Sequence, residues 1–225
     1  MIVSINQLAY LPWLGYFERI KNSDVFVFFD TVQFEKNSFT NRNKIKTPNG
    51  SKWLTIPIKT SGLFKTNTLK NCKILDAKWQ KSHWLQIKEN YRKSSFWQEY
   101  SPQFEVFYQK PYNKLSDLCW EMLQTFVKIF NIKTKLIRSS SLPEFITTKD
   151  DLVLDILKHL RADEYISGAL GRNYIHEDKF LISNIKLRYQ DYKPKNYTQL
   201  FGEFIPYLGA IDLIFNQGPE SMKYI

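Results

Sequence analysis

Cysteine is scarce: Cys72 and Cys119 are the only two in 225 residues. Two thiols supply neither a disulfide framework nor a four-ligand zinc site, which points to a reducing compartment. The three histidines, His83, His159 and His176, share no close spacing, so no metal ligand set is assigned. Long apolar runs are missing too; none approaches the roughly 20 residues needed to span a bilayer. The opening MIVSINQLAYLPWLGYF has neither a basic leader nor a small-residue cleavage site. A cytoplasmic protein without a membrane span is the expectation. No glycine fingerprint of the Rossmann or P-loop kind occurs, and no internal repeat or low-complexity segment interrupts the chain.

What is present is a folding composition, 43% hydrophobic and 24% charged. Aromatics reach 16%, enough for a large core with rings left over for a cleft. Lysine and arginine exceed aspartate and glutamate by 32 to 22, a formal charge of +10. That balance favours anionic partners such as phosphates, nucleotide sugars, nucleic acid or an acidic membrane surface. It does not choose among them, and lysine used simply as a solvated residue gives the same total.

Residues 2–5 (IVSI) and Val25–Phe29 (VFVFF) read as strands flanking a short helix over Gly15–Lys21. Continuous apolarity in the second strand implies that both faces are covered, as in a parallel sheet. Together they predict a βαβ unit with a right-handed crossover. Residues 39–58 read as a hairpin about Pro48-Asn49-Gly50. Helical spacing follows over 79–91, 96–108 and 111–130, the last with a broad apolar stripe. Strands are predicted at 134–138, 164–167 and 185–189, and helices at 150–160 and 208–215. The fold class is therefore α/β, a mostly parallel open sheet with a β-hairpin. One domain, 1–225, carries a helical insertion at about 78–130.

Four segments carry candidate chemistry. Gln7 to Tyr16 follows the first strand, where open α/β sheets gather ligands. There Gly15 permits close backbone approach, and Trp13 or Tyr16 offers a ring to stack on, with Tyr10 a further candidate for ligand contact; the same loop also reads as an aromatic plug. Asp30 ends the apolar strand and either orients a ligand or caps a turn. Asn41-Arg42-Asn43-Lys44-Ile45-Lys46 sets three cations on alternate positions, about 7 Å apart, suited to phosphate or to a solvated edge strand. Ser167, Gly168, Gly171, Arg172 and Tyr174 form a loop able to cradle an anion, or an ordinary turn. His83 reads as a general base or, more simply, as a satisfied core histidine, and Cys119 reads as core.

In order along the chain, these segments resemble the WbqC-like protein family. The shared residues are Gln7, Tyr10 to Phe17, Asp30 to Phe34 (Gln33 among them), Asn41 to Lys46, Gly50 and Trp53 to Pro57. Ile166-Ser167-Gly168, Gly171, Tyr174, Tyr197, Gln199 and Ile211-Asp212 complete the pattern. The family commonly has His-Gln-Pro after the first strand, where this chain has Asn6-Gln7-Leu8. That departure puts catalysis by the missing histidine in doubt here and leaves Gln7 in place.

The resemblance implies a role in gene clusters for O-antigen and other surface polysaccharides. The expected activity is group transfer onto an amino or hydroxyl group of a nucleotide-activated sugar. Asp30 and Gln7 would act on the reacting groups. Arg42, Lys44 and Lys46 would hold phosphate, and Trp13 or Tyr16 would stack. The expected partner is an anionic, nucleotide-linked small molecule, with no cofactor assigned. A non-catalytic sugar-nucleotide-binding or scaffold protein is the alternative. A nucleic-acid-binding protein is disfavoured because no such motif is present. The order strand, Pro-Trp-x-Gly loop, helix, strand and late Ser-Gly loop also resembles HIGH-type nucleotide-binding folds, at the level of fold analogy alone.

Overall fold

The computed structural model describes residues 1–35, 38–59 and 68–225. Five parallel strands make the main sheet: β1 (Ile2–Gln7), β2 (Val25–Phe29), β5 (Lys135–Arg138), β6 (Glu164–Ser167) and β7 (Lys186–Tyr189). Their order is β5-β2-β1-β6-β7. An antiparallel hairpin, β3 (Arg42–Thr47) and β4 (Gly50–Thr55), stands apart from that sheet. The α/β class with a mostly parallel sheet is therefore what the chain adopts, and no helix among the described residues is long and apolar enough to cross a membrane.

Alternation along β2 explains why its apolarity is unbroken. Phe26 and Phe28 join the core on one side of the sheet, while Val25, Val27 and Phe29 join the core on the other. The first side is covered by α1 (Leu14–Lys21), α2 (Lys78–Tyr91), α3 (Trp97–Gln109), α4 (Leu115–Ile129) and, after the last strand, α7 (Ile211–Gln217). The second is covered by α5 (Lys149–His159) and α6 (Glu177–Ile182). Each fully buried phenylalanine contributes about 1.5–3 kcal/mol, so both layers are secured by the same strand.

Two helices begin later than their sequence spacing predicts, and backbone pairing is the reason. Residues 111–114 are extended because the 72–74 segment pairs with them. Ile74 N–H donates to Asn113 C=O, and Leu115 N–H to Cys72 C=O, at 3.0 Å each. Pro111 thus precedes the helix and α4 starts at Leu115. Similarly, Gly209 N–H donates to Lys44 C=O at 2.9 Å and the residue bridges Trp13, so α7 starts at Ile211. After β6 a 3-10 turn, Ala169–Asn173, comes before α6.

Candidate functional site

Strand order sets where the winding of the sheet reverses. From β1 the chain moves to β2 and then β5 on one side. It next crosses to β6, on the other side of β1, and continues to β7. The direction of winding reverses between β1 and β6, and loops diverge there beyond the carboxyl ends of the strands. Gln7 ends β1, and Ser167 followed by Gly168 ends β6.

Of the sequence-predicted residues, Gln7 lies at the end of β1, and Ser167, Gly168 and Gly171 lie at and just after the end of β6, the two adjacent strands on either side of this reversal. Gln7 is half-buried, and its carbonyl accepts the Tyr16 hydroxyl at 3.0 Å. Ser167 is buried and packed against Gly171, where an added Cβ would come within 2.1 Å of its Oγ. Tyr174 follows the 3-10 turn with its ring exposed.

The aromatic loop is built inward. Trp13 is the extended residue before α1, and its ring folds back over Gly15, where a Cβ would lie 2.2 Å from the ring. Tyr192 and Tyr207 flank that ring, with centroids 5.5 and 5.7 Å away. Tyr10 is wholly buried and shares hydrogen bonds of 2.9 Å with His83 Nδ1 and with the Tyr108 hydroxyl. Burial lowers the His83 pKa to about 4, so its imidazole is neutral at physiological pH. Tyr16 is buried against Phe26, and its pKa is pushed far up by desolvation.

Asp30 is wholly buried at the end of β2. Its Oδ1 accepts from Ser139 Oγ at 3.0 Å and Ser140 N–H at 2.9 Å, and its Oδ2 from Ser140 Oγ at 2.8 Å. Arg138 Nε lies 3.4 Å from Oδ2. These contacts engage both carboxylate oxygens in pinning the turn that follows β5.

The hairpin cations do not converge. Arg42 and Lys44 lie over the Trp53 ring at 4.4 and 5.0 Å from its centroid, as the Lys44–Trp53 register brings about. Lys46 is buried instead, donating to Gln199 Oε1 at 2.9 Å and to Glu203 C=O. Asn41 Nδ2 donates to Ile56 C=O at 2.8 Å, and Asn43 Nδ2 to Leu11 C=O at 2.5 Å. Asn43 thereby ties the hairpin to the loop after β1, where Leu11 adopts a φ of 47°. Gln33 is exposed and bridges Thr68.

Beside Lys46 lies a buried acid that no single motif reveals. Asp212 Oδ1 accepts the Tyr91 hydroxyl at 2.9 Å. Its Oδ2 accepts the Tyr197 hydroxyl at 2.7 Å and Gln199 Nε2 at 2.8 Å. Desolvation outweighs these donors and raises its pKa to about 6. Tyr197, Gln199 and Asp212 are among the residues that carry the family resemblance, and they join one network locking the hairpin to α7.

Two further residues escape a motif reading. His176 Nδ1 lies 2.7 Å from Asp150 Oδ2, with the imidazole exposed and the carboxylate buried. Arg19, on α1, is 6% exposed and reaches to Gly168. Its only sequence signal is an arginine inside a helix that otherwise buries Leu14, Tyr16, Phe17 and Ile20.

The WbqC-like protein family matches residues 7–224 of this chain. An uncharacterized protein of Mycobacterium tuberculosis is 32% identical over 225 residues, spanning 99% of this chain and 96% of that relative. No solved structure matches.

Proposed function

The chain belongs to the WbqC-like protein family, and from that membership and the form of its carboxyl edge we propose an enzyme of surface-polysaccharide assembly, O-antigen biosynthesis being the type. It transfers a group onto an amino or hydroxyl group of a nucleotide-activated sugar. The observation that carries this reading is the reversal of strand order between β1 and β6. Parallel α/β sheets bind nucleotides in the crevice at such a point. A net charge of +10 favours the same anionic ligand.

In this reading Gln7, Ser167, Gly168, Gly171 and Tyr174 face the ligand. Trp13, Gly15, Tyr10, Tyr16, Asn41, Asn43 and Lys46 hold the surrounding loops and hairpin. The whole chain acts as one domain, because α2, α3 and α4 join the same core as α1. A cytoplasmic location matches a soluble nucleotide-sugar substrate.

A non-catalytic sugar-nucleotide-binding protein is the second reading. It is favoured by Asp30, the acid nearest the β2 end, whose oxygens are occupied by Ser139, Ser140 and Arg138. A thermal-shift screen with nucleoside diphosphates and nucleotide sugars, with and without magnesium, tests the shared premise. A ligand at about 100 times its Kd stabilises by about 2.7 kcal/mol. Stabilisation by a nucleotide sugar, followed by its turnover with an amine or alcohol acceptor, supports the enzyme. Stabilisation without turnover of any acceptor supports the binding protein, and no stabilisation removes both.

A further inference from the structure

Arg19 presents a problem the fold does not solve internally. Its side chain is 94% buried, the complement of its 6% exposure, and Nε has no hydrogen-bond partner among the described residues. No carboxylate lies within ion-pair distance of it among those residues. Its acidic neighbour Glu18 attracts it without touching it, while the two Glu18 oxygens accept from Asn22 Nδ2 at 2.6 Å and from Gln190 Nε2. The other charge-bearing groups around it are the phenols of Tyr16, Tyr165 and Tyr174. Burial raises the pKa of all three, Tyr165 to about 12, so they are neutral and cannot balance a cation.

A buried guanidinium without a contacting counter-ion is unfavourable, and an orphaned buried donor calls for a partner such as a bound anion or an ordered water. Its location is specific. Nη1 lies where a Cβ on Gly168 would sit 2.7 Å away, so the guanidinium tip is packed directly on the residue after β6, and a side chain there would push it aside. Gly168 follows the last residue of β6, the strand beside β1 at the reversal. Arginine is also the residue whose planar donor fork matches phosphate oxygens.

We propose that Arg19 is the anion anchor of the site, gripping a phosphate of a nucleoside diphosphate across Gly168. The inference rests on the nucleotide-sugar reading for the identity of the phosphate, and on geometry alone for the site itself. Diphosphate from a nucleotide and free inorganic diphosphate share the recognising chemistry.

The experiment measures the affinity of uridine diphosphate and of inorganic diphosphate, by calorimetry, for wild type, Arg19→Met and Arg19→Lys. Expected is binding of both probes by wild type, weakened about tenfold to a hundredfold in Arg19→Met, the scale of a lost charge-assisted contact, and less in Arg19→Lys. Without any anion, Arg19→Met is expected to melt at a higher temperature than wild type, since an uncompensated buried charge has gone. A lower melting temperature for Arg19→Met identifies a structural arginine and overturns the inference. So does equal affinity of both proteins for the nucleotide, an outcome that leaves the nucleotide-sugar reading standing. Binding of inorganic diphosphate alone, lost in Arg19→Met, keeps Arg19 as the anchor and removes the nucleotide. Failure of wild type to bind either probe removes both.

Discussion

Asp212 makes stability at mild acid a direct readout of one buried network. Its carboxyl is wholly buried among Tyr91, Tyr197 and Gln199, and its pKa rises from 3.8 to about 6. The folded protein therefore keeps this proton where the unfolded chain has released it. Stabilisation is complete below about pH 3.8 and is lost as pH rises through about 6. A shift of about two units corresponds to about 3 kcal/mol. Glu121, Asp150 and Glu164 have lowered pKa values, so their contributions run the other way and are lost as pH falls.

Asp212→Asn isolates the term, because the amide has no proton to exchange while every other group remains. Urea unfolding followed by tryptophan fluorescence, from about pH 4 to 8, gives both stability curves. Wild type minus variant is expected to fall by about 2–3 kcal/mol across that window, half of it by about pH 5, midway between the unfolded and folded pKa values. Substitution also turns one acceptor into a donor facing hydroxyl or amide donors, a constant offset of about 1–3 kcal/mol. A difference that is flat, or that rises with pH, refutes the reasoning. It would mean that the three donors and Lys46, not desolvation, control the carboxyl.

Gly15→Ala is expected to destabilise by about 1–3 kcal/mol, since its Cβ would overlap the Trp13 ring at 2.2 Å; an unchanged urea midpoint would show that the ring does not need the glycine. Asp30→Ala should lose about 1–3 kcal/mol by stranding the buried Ser139–Ser140 donors, while Arg138 keeps its ion pair with Asp117 at 2.8 Å; Asp30→Asn should lose less. If Asp30→Asn keeps full stability yet abolishes ligand turnover, Asp30 is catalytic and not an anchor. The His83 ring should stay neutral from about pH 8 down to about pH 5 by NMR, because burial holds its pKa near 4. A titration near the ordinary histidine value would place that ring in water.

Much of the fold is legible because the relevant interactions are local or periodic. Val25–Phe29 announces a doubly covered strand by being apolar at every position, and Pro48-Asn49-Gly50 announces the hairpin turn by φ preference alone. The starts of α4 and α7 are not legible. Pro111 is a sound helix opener by propensity, but the pairing of residues 111–114 with 72–74 is a contact about 40 residues away and leaves no periodic trace. The candidate site divides in the same way. Alternation correctly puts Arg42, Lys44 and Lys46 on one face, yet says nothing of the 199–205 segment that closes over Lys46 alone. Arg19 is invisible for the opposite reason: in Leu14–Lys21 one arginine looks like surface until Gly168, nearly 150 residues later, arrives beside it.

The residues that carry the family resemblance do two different jobs, and separating them bears on function. Asn43 to Leu11, Gly209 to Lys44, and Lys46 to Gln199 are bonds between the loop after β1, the hairpin and the segment before α7. Asp212 completes that set from within the core. Asn43, Lys46 and Asp212 are buried with their polar atoms engaged, so none of these three side chains is available to a ligand. Their joint effect is to fix the loop that bears Leu11 at a φ of 47°, a conformation costing of order 1–3 kcal/mol that persists only where surroundings over-determine it. That loop leads from the carboxyl end of β1 into α1, and so sets where Arg19 falls relative to Gly168. Weakening the lock through Asp212→Asn should therefore also weaken anion binding at Arg19 although no contact is removed there. Unchanged affinity in a folded Asp212→Asn protein would show that the hairpin lock and the carboxyl edge are energetically independent.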